Sequence, residues 1–138
     1  VATVHSRFNL PKAEMTKRIV KALENPVVDI LGHPTGRLLG KRDPYEVDLD
    51  QLLDAALEHQ KVLELNGSPD RLDLPDIWLR KAKDKGVKIV ISTDSHRTEH
   101  LKEWMHYGAA YGRRGWLEKK DVINTLPLEK FLKFFNIG

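Results

Sequence analysis

Three of the six histidines in the sequence stand just past short apolar runs: His5 in TVHS, His33 in LGHP and His96 in STDSH. Asp94 precedes His96 by two residues, a D-x-H pair. Imidazole nitrogen and carboxylate oxygen converging on one cavity suit zinc, manganese or iron(II). Such an ion turns a bound water into a nucleophile and polarises a phosphoryl oxygen. The chain has no cysteine, so thiolate ligands, disulfides and cysteine nucleophiles are excluded together.

Each residue alone has a bland reading. His5 suits a satisfied core histidine, His33 a loop hydrogen bond, and Asp94 a turn cap. Their recurrence at one kind of place argues for a shared site. A fourth apolar run ends in ELNG, where Glu64 and Asn66 share a face by strand alternation. Glu64 reads more readily as a salt-bridge partner than as a ligand. His59, His100 and His106 fall on helical stretches and read as solvent-facing or packing residues.

The elements that must position these residues alternate. Val1–Val4, Val27–Leu31, Val62–Leu65 and Val87–Ile91 read as strands. Between them lie helical stripes. Met15, Ile19 and Leu23 are spaced by four, and Leu49, Leu52, Leu53, Ala56 and Leu57 follow an N-cap at Asp48. Ile77, Trp78, Leu79 and Ala82 form a third stripe, with Pro75 in its first turn and a stop at Lys85-Gly86. Thr98 caps a further helix through about Tyr107, and the C-terminal third reads as helical with Phe131, Leu132, Phe134 and Phe135 in the core. Strands alternating with helices mean parallel βα units, and their apolar runs imply cover on both faces. Ligands in such folds sit at the carboxyl ends of the strands, where His5, His33, Asp94 and His96 fall.

The 138 residues fit one domain, with 41% hydrophobic and 31% charged residues, which excludes disorder as the main state. No apolar run approaches the roughly 18 residues a membrane span needs. VATVHSR lacks the basic start and apolar run of a signal peptide, so a cytoplasmic protein is expected. A net charge of +3 is compatible with an anionic substrate and too weak to imply nucleic acid by itself. Arg7, Arg37 and Arg97 lie near the proposed ligands and offer forks for phosphate. Arg113, Arg114, Lys119 and Lys120 surround Trp116, either as a basic-aromatic patch or with the indole in the core.

TVHS, DILGHPTGR, LELNGSPDRLDL, ISTDSH and RRGWLEKKDVINTLP together resemble the PHP (polymerase and histidinol phosphatase) domain. Within it they look most like the C-terminal PHP domain of bacterial and archaeal family X DNA polymerases, over essentially the whole chain. The resemblance implies a distorted (β/α)7 TIM-like barrel holding up to three divalent ions, manganese or zinc, with iron an alternative. It implies phosphoesterase chemistry, and in the polymerases a 3′–5′ exonuclease that trims DNA ends. His5, His33, Asp94 and His96 match the ligands. His33 and Asp94 are also expected to carry catalysis, with Asp94 orienting or deprotonating the attacking water.

The opening H-x-H pair and bridging glutamate of such domains are not present ahead of His5. Residues 1–138 are therefore expected to be the C-terminal portion of a single PHP domain, forming parallel βα units of its barrel. By itself that portion is expected to hold ions weakly, to hydrolyse poorly and to self-associate. Expected partners are DNA 3′ ends and polymerase domains of the same chain. The rival readings are a stand-alone phosphatase acting on small substrates and a non-catalytic DNA-positioning scaffold.

Overall fold

The computed structural model describes residues 1–137. Its elements run α1 (Lys12–Leu23), β1 (Ile30–Leu31), α2 (Leu49–Glu58), β2 (Val62–Asn66), α3 (Asp76–Lys85), β3 (Ile89–Ser92), α4 (Thr98–Arg114) and α5 (Leu128–Phe134), with two short 3₁₀ turns at Lys119–Asp121 and Ile123–Thr125. The helices follow their stripes. Met15, Ile19 and Leu23 are the buried residues of α1 together with Thr16. The Thr16 hydroxyl donates to the Lys12 carbonyl at 2.7 Å and accepts the Asp48 amide at 2.9 Å, tying α1 to the start of α2. The Asp48 side chain caps α2 by accepting the Gln51 amide at 3.1 Å. Gly86 closes α3 in the left-handed region at φ 86°.

The three strands are parallel, in the order β1-β2-β3, with Ile30 opposite Val62, Leu63 opposite Ile89 and Asn66 opposite Ser92. β2 is central and covered on both faces, with Val62, Leu63 and Leu65 fully buried. One parallel bridge, Ala2 to Leu31, continues the sheet beyond β1, and another, Ile89 to Val122, continues it beyond β3. An α/β fold with a parallel sheet is therefore present, and among the described residues that sheet is open. No described helix is long and apolar enough to cross a membrane.

Several expected details differ. Val1–Val4 contributes a single bridge rather than a strand. Val27 is exposed, because the chain turns there: the Val28 amide donates to the Asn25 carbonyl at 3.0 Å, leaving only Ile30 and Leu31 for the ladder. Leu57 and Ile77 lie at the solvent edges of their stripes, and Pro75 is the residue before α3 rather than in its first turn. Trp116 is 68% exposed, so the indole is not in the core. No residue of α5 is buried, and its phenylalanines pack edge-on against one another at 5.1 Å instead of entering the core.

α4 is the largest departure, continuing through Gly108 and Gly112 to Arg114. Those glycines are its buried residues. A Cβ on Gly108 would lie 2.7 Å from Ile91 Cγ2 and 3.2 Å from Gly67 Cα. The missing side chain of Gly108 lets α4 lie directly on the exits of β2 and β3.

Candidate functional site

β1, β2 and β3 deliver their carboxyl ends to one edge, and the loops leaving that edge carry the polar residues. After β1 the chain turns at His33, with the Gly36 amide donating to the His33 carbonyl at 2.9 Å. His33 is 4% exposed, and its ring meets that of His5 edge to face at 5.0 Å between centroids. Its Nδ1 is buried and has no hydrogen-bond partner among the described residues. Burial, and then the positive charge of Arg71, hold the imidazole pKa below its ordinary value, so the ring is neutral with a lone pair to offer.

Glu64 and Asn66, on one face of β2, organise this edge. The Glu64 carboxylate accepts the His33 amide at 2.5 Å and the Ser92 hydroxyl, joining all three strand exits. Asn66 is fully buried and donates through Nδ2 to Asp94 Oδ2 at 3.1 Å. The same oxygen meets Arg71 Nε at 3.2 Å. Asp94 thus lies beside Asn66 and Arg71, while His96, exposed, holds its Nδ1 at 2.9 Å from the Asp94 carbonyl. Period-two alternation ends here, because Asp94 turns the chain at φ 51°.

Backbone strain is present at these positions. Seven described non-glycine residues have positive φ, and Arg7 (57°), His33 (30°) and Asp94 (51°) are three of them. Such conformations cost on the order of 1–3 kcal/mol each and persist where the surroundings over-determine them.

The loop after β2, SPDRLDLPD, supplies two residues that sequence reasoning missed. Arg71, five residues past Asn66, is the arginine that reaches Asp94. Asp73 is fully buried and accepts the Thr35 amide through both oxygens, at 3.2 and 3.1 Å. Arg37 locks the same two loops together. Its Nε donates to the Arg71 carbonyl at 2.9 Å, and its Nη2 donates to the Leu72 carbonyl and to Tyr111 Oη at 3.2 Å. Most of the Arg37 fork is therefore engaged by protein. Arg7 and Arg97 are exposed beside His5 and His96.

Burial raises the Asp73 carboxyl to about 6, against the lowering effect of the Thr35 hydrogen bonds and the Arg37 charge. A carboxyl raised in the folded state contributes its full stability below the unfolded value, near 4, and loses it as pH climbs to about 6. The shift corresponds to about 3 kcal/mol. We expect the urea midpoint of the natural protein, relative to Asp73→Asn, to fall between about pH 4 and pH 6 and to level off above. A pH-independent difference between the two would show that Asp73 does not titrate in this way.

As a metal centre the edge is partial. The orphaned Nδ1 of His33, on a ring 5.0 Å from that of His5, fits an ion that prefers nitrogen and oxygen donors. Among the described residues no three histidine, aspartate or glutamate side chains are grouped to hold one ion. Asp94 is instead neutralised by Arg71.

No family model matches the chain. It is 47% identical over 136 residues, 96% of its length, to the DNA polymerase/3′-5′ exonuclease PolX of Bacillus subtilis, of which it covers 24%. A probable phosphatase of Thermoanaerobacter is 37% identical over 105 residues, 70% of this chain and 40% of that protein. A probable phosphatase of Caldicellulosiruptor bescii is 29% identical over 91% of this chain and 51% of its own length. The chain thus spans about a quarter of the polymerase and two fifths to a half of these phosphatases. The likeness to a family X DNA polymerase, expected from GHPTGR, TDSH and RRGW, is met by 47% identity over 96% of the chain.

Proposed function

We propose that this chain, similar to a polymerase/exonuclease and to probable phosphatases, is the C-terminal portion of a PHP-type phosphoesterase domain that trims DNA 3′ ends within a larger polymerase. The carrying observation is the buried, unpartnered Nδ1 of His33 at the carboxyl edge of a parallel sheet. A neutral imidazole nitrogen sealed from water with no partner costs about 1–3 kcal/mol, which a bound ligand offsets. In this reading β1–β3 belong to a distorted (β/α)7 barrel in the full protein.

His5 and His33 would hold a divalent ion, manganese or zinc, with Asp94 and His96 as the next donors. A bound ion supplies Lewis acidity and neutralises phosphate charge. The chain's own groups do the rest. Glu64 fixes the His33 backbone, and Asn66 and Arg71 fix the Asp94 carboxylate. Asp94 orients the attacking water and takes its proton. The Arg71 guanidinium, 14% exposed at the edge, presents its remaining N–H groups to phosphate oxygens. Arg7 and Arg97 offer exposed forks further out.

The test uses the full-length protein, a single-stranded oligodeoxynucleotide and p-nitrophenyl phosphate, each with manganese. Stepwise shortening from the 3′ end, abolished by chelation and by His33→Gln, is the expected result. Cleavage of p-nitrophenyl phosphate alone would replace this reading with a small-substrate phosphatase. Salt-sensitive DNA binding without hydrolysis would leave a scaffold.

A further inference from the structure

The groove between the 67–76 loop and α4 has no role in the chemistry above. It has a volume of about 350 Å³ and is lined by Pro69, Leu72, Tyr107, Ala110, Tyr111 and Arg114. We infer that it is a nucleobase subsite, taking the base of a nucleotide next to the phosphodiester held at His33 and Asp94. The inference rests on the phosphodiester reading of that edge and adds the place where a base beside the scissile phosphate would sit.

Its position comes first. Arg71 meets Asp94, and Leu72, the next residue, lines the groove. Adjacent Cα atoms lie about 3.8 Å apart, so one loop turns an arginine toward the candidate site and the following side chain into the groove. Leu72 does so at φ 43°, a conformation that a leucine adopts only under constraint. The Arg37 donation to the Leu72 carbonyl is part of that constraint.

The walls suit a flat aromatic ligand. Tyr111 is held in place through its hydroxyl, which accepts from Arg37 Nη2 at 3.2 Å and from the Asp76 amide at 3.3 Å. Tyr107 is 38% exposed on the same side of α4, three to four residues from Ala110 and Tyr111. Ala110 leaves the room between them, and Pro69 and Leu72 form the opposite wall. Stacking of this kind is tolerant of sequence, since every base has a π face.

The rim supplies the charge a nucleotide needs. Arg114 lines the groove beside the exposed Arg113. Arg114 is paired with Asp76 at 2.5 Å, but its side chain is 72% exposed, and an exposed pair of this kind is weak enough to yield to a backbone phosphate. A small phosphomonoester would leave the groove idle.

The experiment compares Tyr107→Ala, Tyr107→Phe and Ala110→Trp in the full-length protein. One readout is anisotropy of a labelled single-stranded oligodeoxynucleotide without added metal. The other is the ratio of oligonucleotide to bis(p-nitrophenyl) phosphate hydrolysis with manganese. We expect Tyr107→Ala and Ala110→Trp each to weaken oligonucleotide binding about tenfold and to lower the ratio by a similar factor, while Tyr107→Phe keeps both. Undiminished binding in both groove variants would overturn the inference, as would equal loss on the two substrates. Altered sedimentation with unaltered DNA binding would assign the groove to a second copy of the chain and overturn it as well. If the natural protein hydrolyses neither substrate, the phosphoesterase reading fails, and the binding arm still decides the groove.

Discussion

Asp94→Asn in the full-length protein is expected to slow phosphodiester hydrolysis by about a hundredfold or more while the fold persists. Asparagine keeps the shape and tolerates the left-handed backbone that Asp94 adopts at φ 51°. Its carbonyl can still accept from Asn66 and Arg71, which now meet Asp94 Oδ2 at 3.1 and 3.2 Å. What is lost is the negative charge and the ability to take a proton, and a positioned acid–base group contributes on the order of 10² to 10⁴ in rate. Stability should change little, by about 1 kcal/mol, because the Asp94 side chain is 34% exposed and the pair it makes is screened. Asp94→Ala should match the rate loss and cost somewhat more stability, since it leaves the mostly buried Arg71 without its carboxylate partner. Hydrolysis rates and urea midpoints on both variants check this. Natural-level activity in Asp94→Asn would remove Asp94 from the chemistry.

The arrangement of the edge explains which parts of it could be read in advance. Helices announced by spacing were legible: Met15, Ile19 and Leu23 repeat by four and are all buried. β2 was legible because Val62, Leu63 and Leu65 give a covered strand its apolar residues on both faces, around the single acid Glu64. The strand exits were legible because a parallel sheet sends every carboxyl end to one side, so His33, Glu64, Asn66 and Asp94 had to approach one another. Arg71 and Asp73 were not, because a loop has no period. Their roles depend on how the chain folds back, with Asn66 and Asp73 paired through both backbone amides. The length of α4, expected to end near Tyr107, was not legible for a related reason. Glycine is a poor helix former by itself, and the value of Gly108 lies in the close approach of Ile91 and Gly67, which only the packed structure contains. The α5 phenylalanines carry the same lesson in reverse: an apolar run predicts burial, yet Phe131 and Phe135 are only half-buried and Phe134 is exposed on a groove it lines with Leu57 and Val87.

The left-handed turn after His33 makes the last expectation a structural one, the loss of about 2–5 kcal/mol on Gly36→Ala. Gly36 has φ 66°, where a Cβ costs about 1–2 kcal/mol on its own. That Cβ would also lie 2.5 Å from Tyr45 Cε1 and 2.7 Å from Cδ1. Tyr45 has little freedom to retreat. Its hydroxyl donates to the Pro34 carbonyl at 2.7 Å, and its ring stacks on Phe8 at 6.2 Å. Arg42 lies 4.1 Å over the Phe8 ring while donating to the Gly36 carbonyl at 3.0 and 2.7 Å. The clash therefore passes into the His33–Gly36 turn and displaces the imidazole from His5. A double-mutant cycle separates the two costs. Tyr45→Ala destabilises by emptying part of the core, and in that background Gly36→Ala should cost only its backbone share, about 1–2 kcal/mol. The difference between the two backgrounds, read from urea midpoints, is the steric coupling of Gly36 to Tyr45. If Gly36→Ala costs the same in both, the tyrosine does not set the turn, and the positive φ alone must account for the glycine.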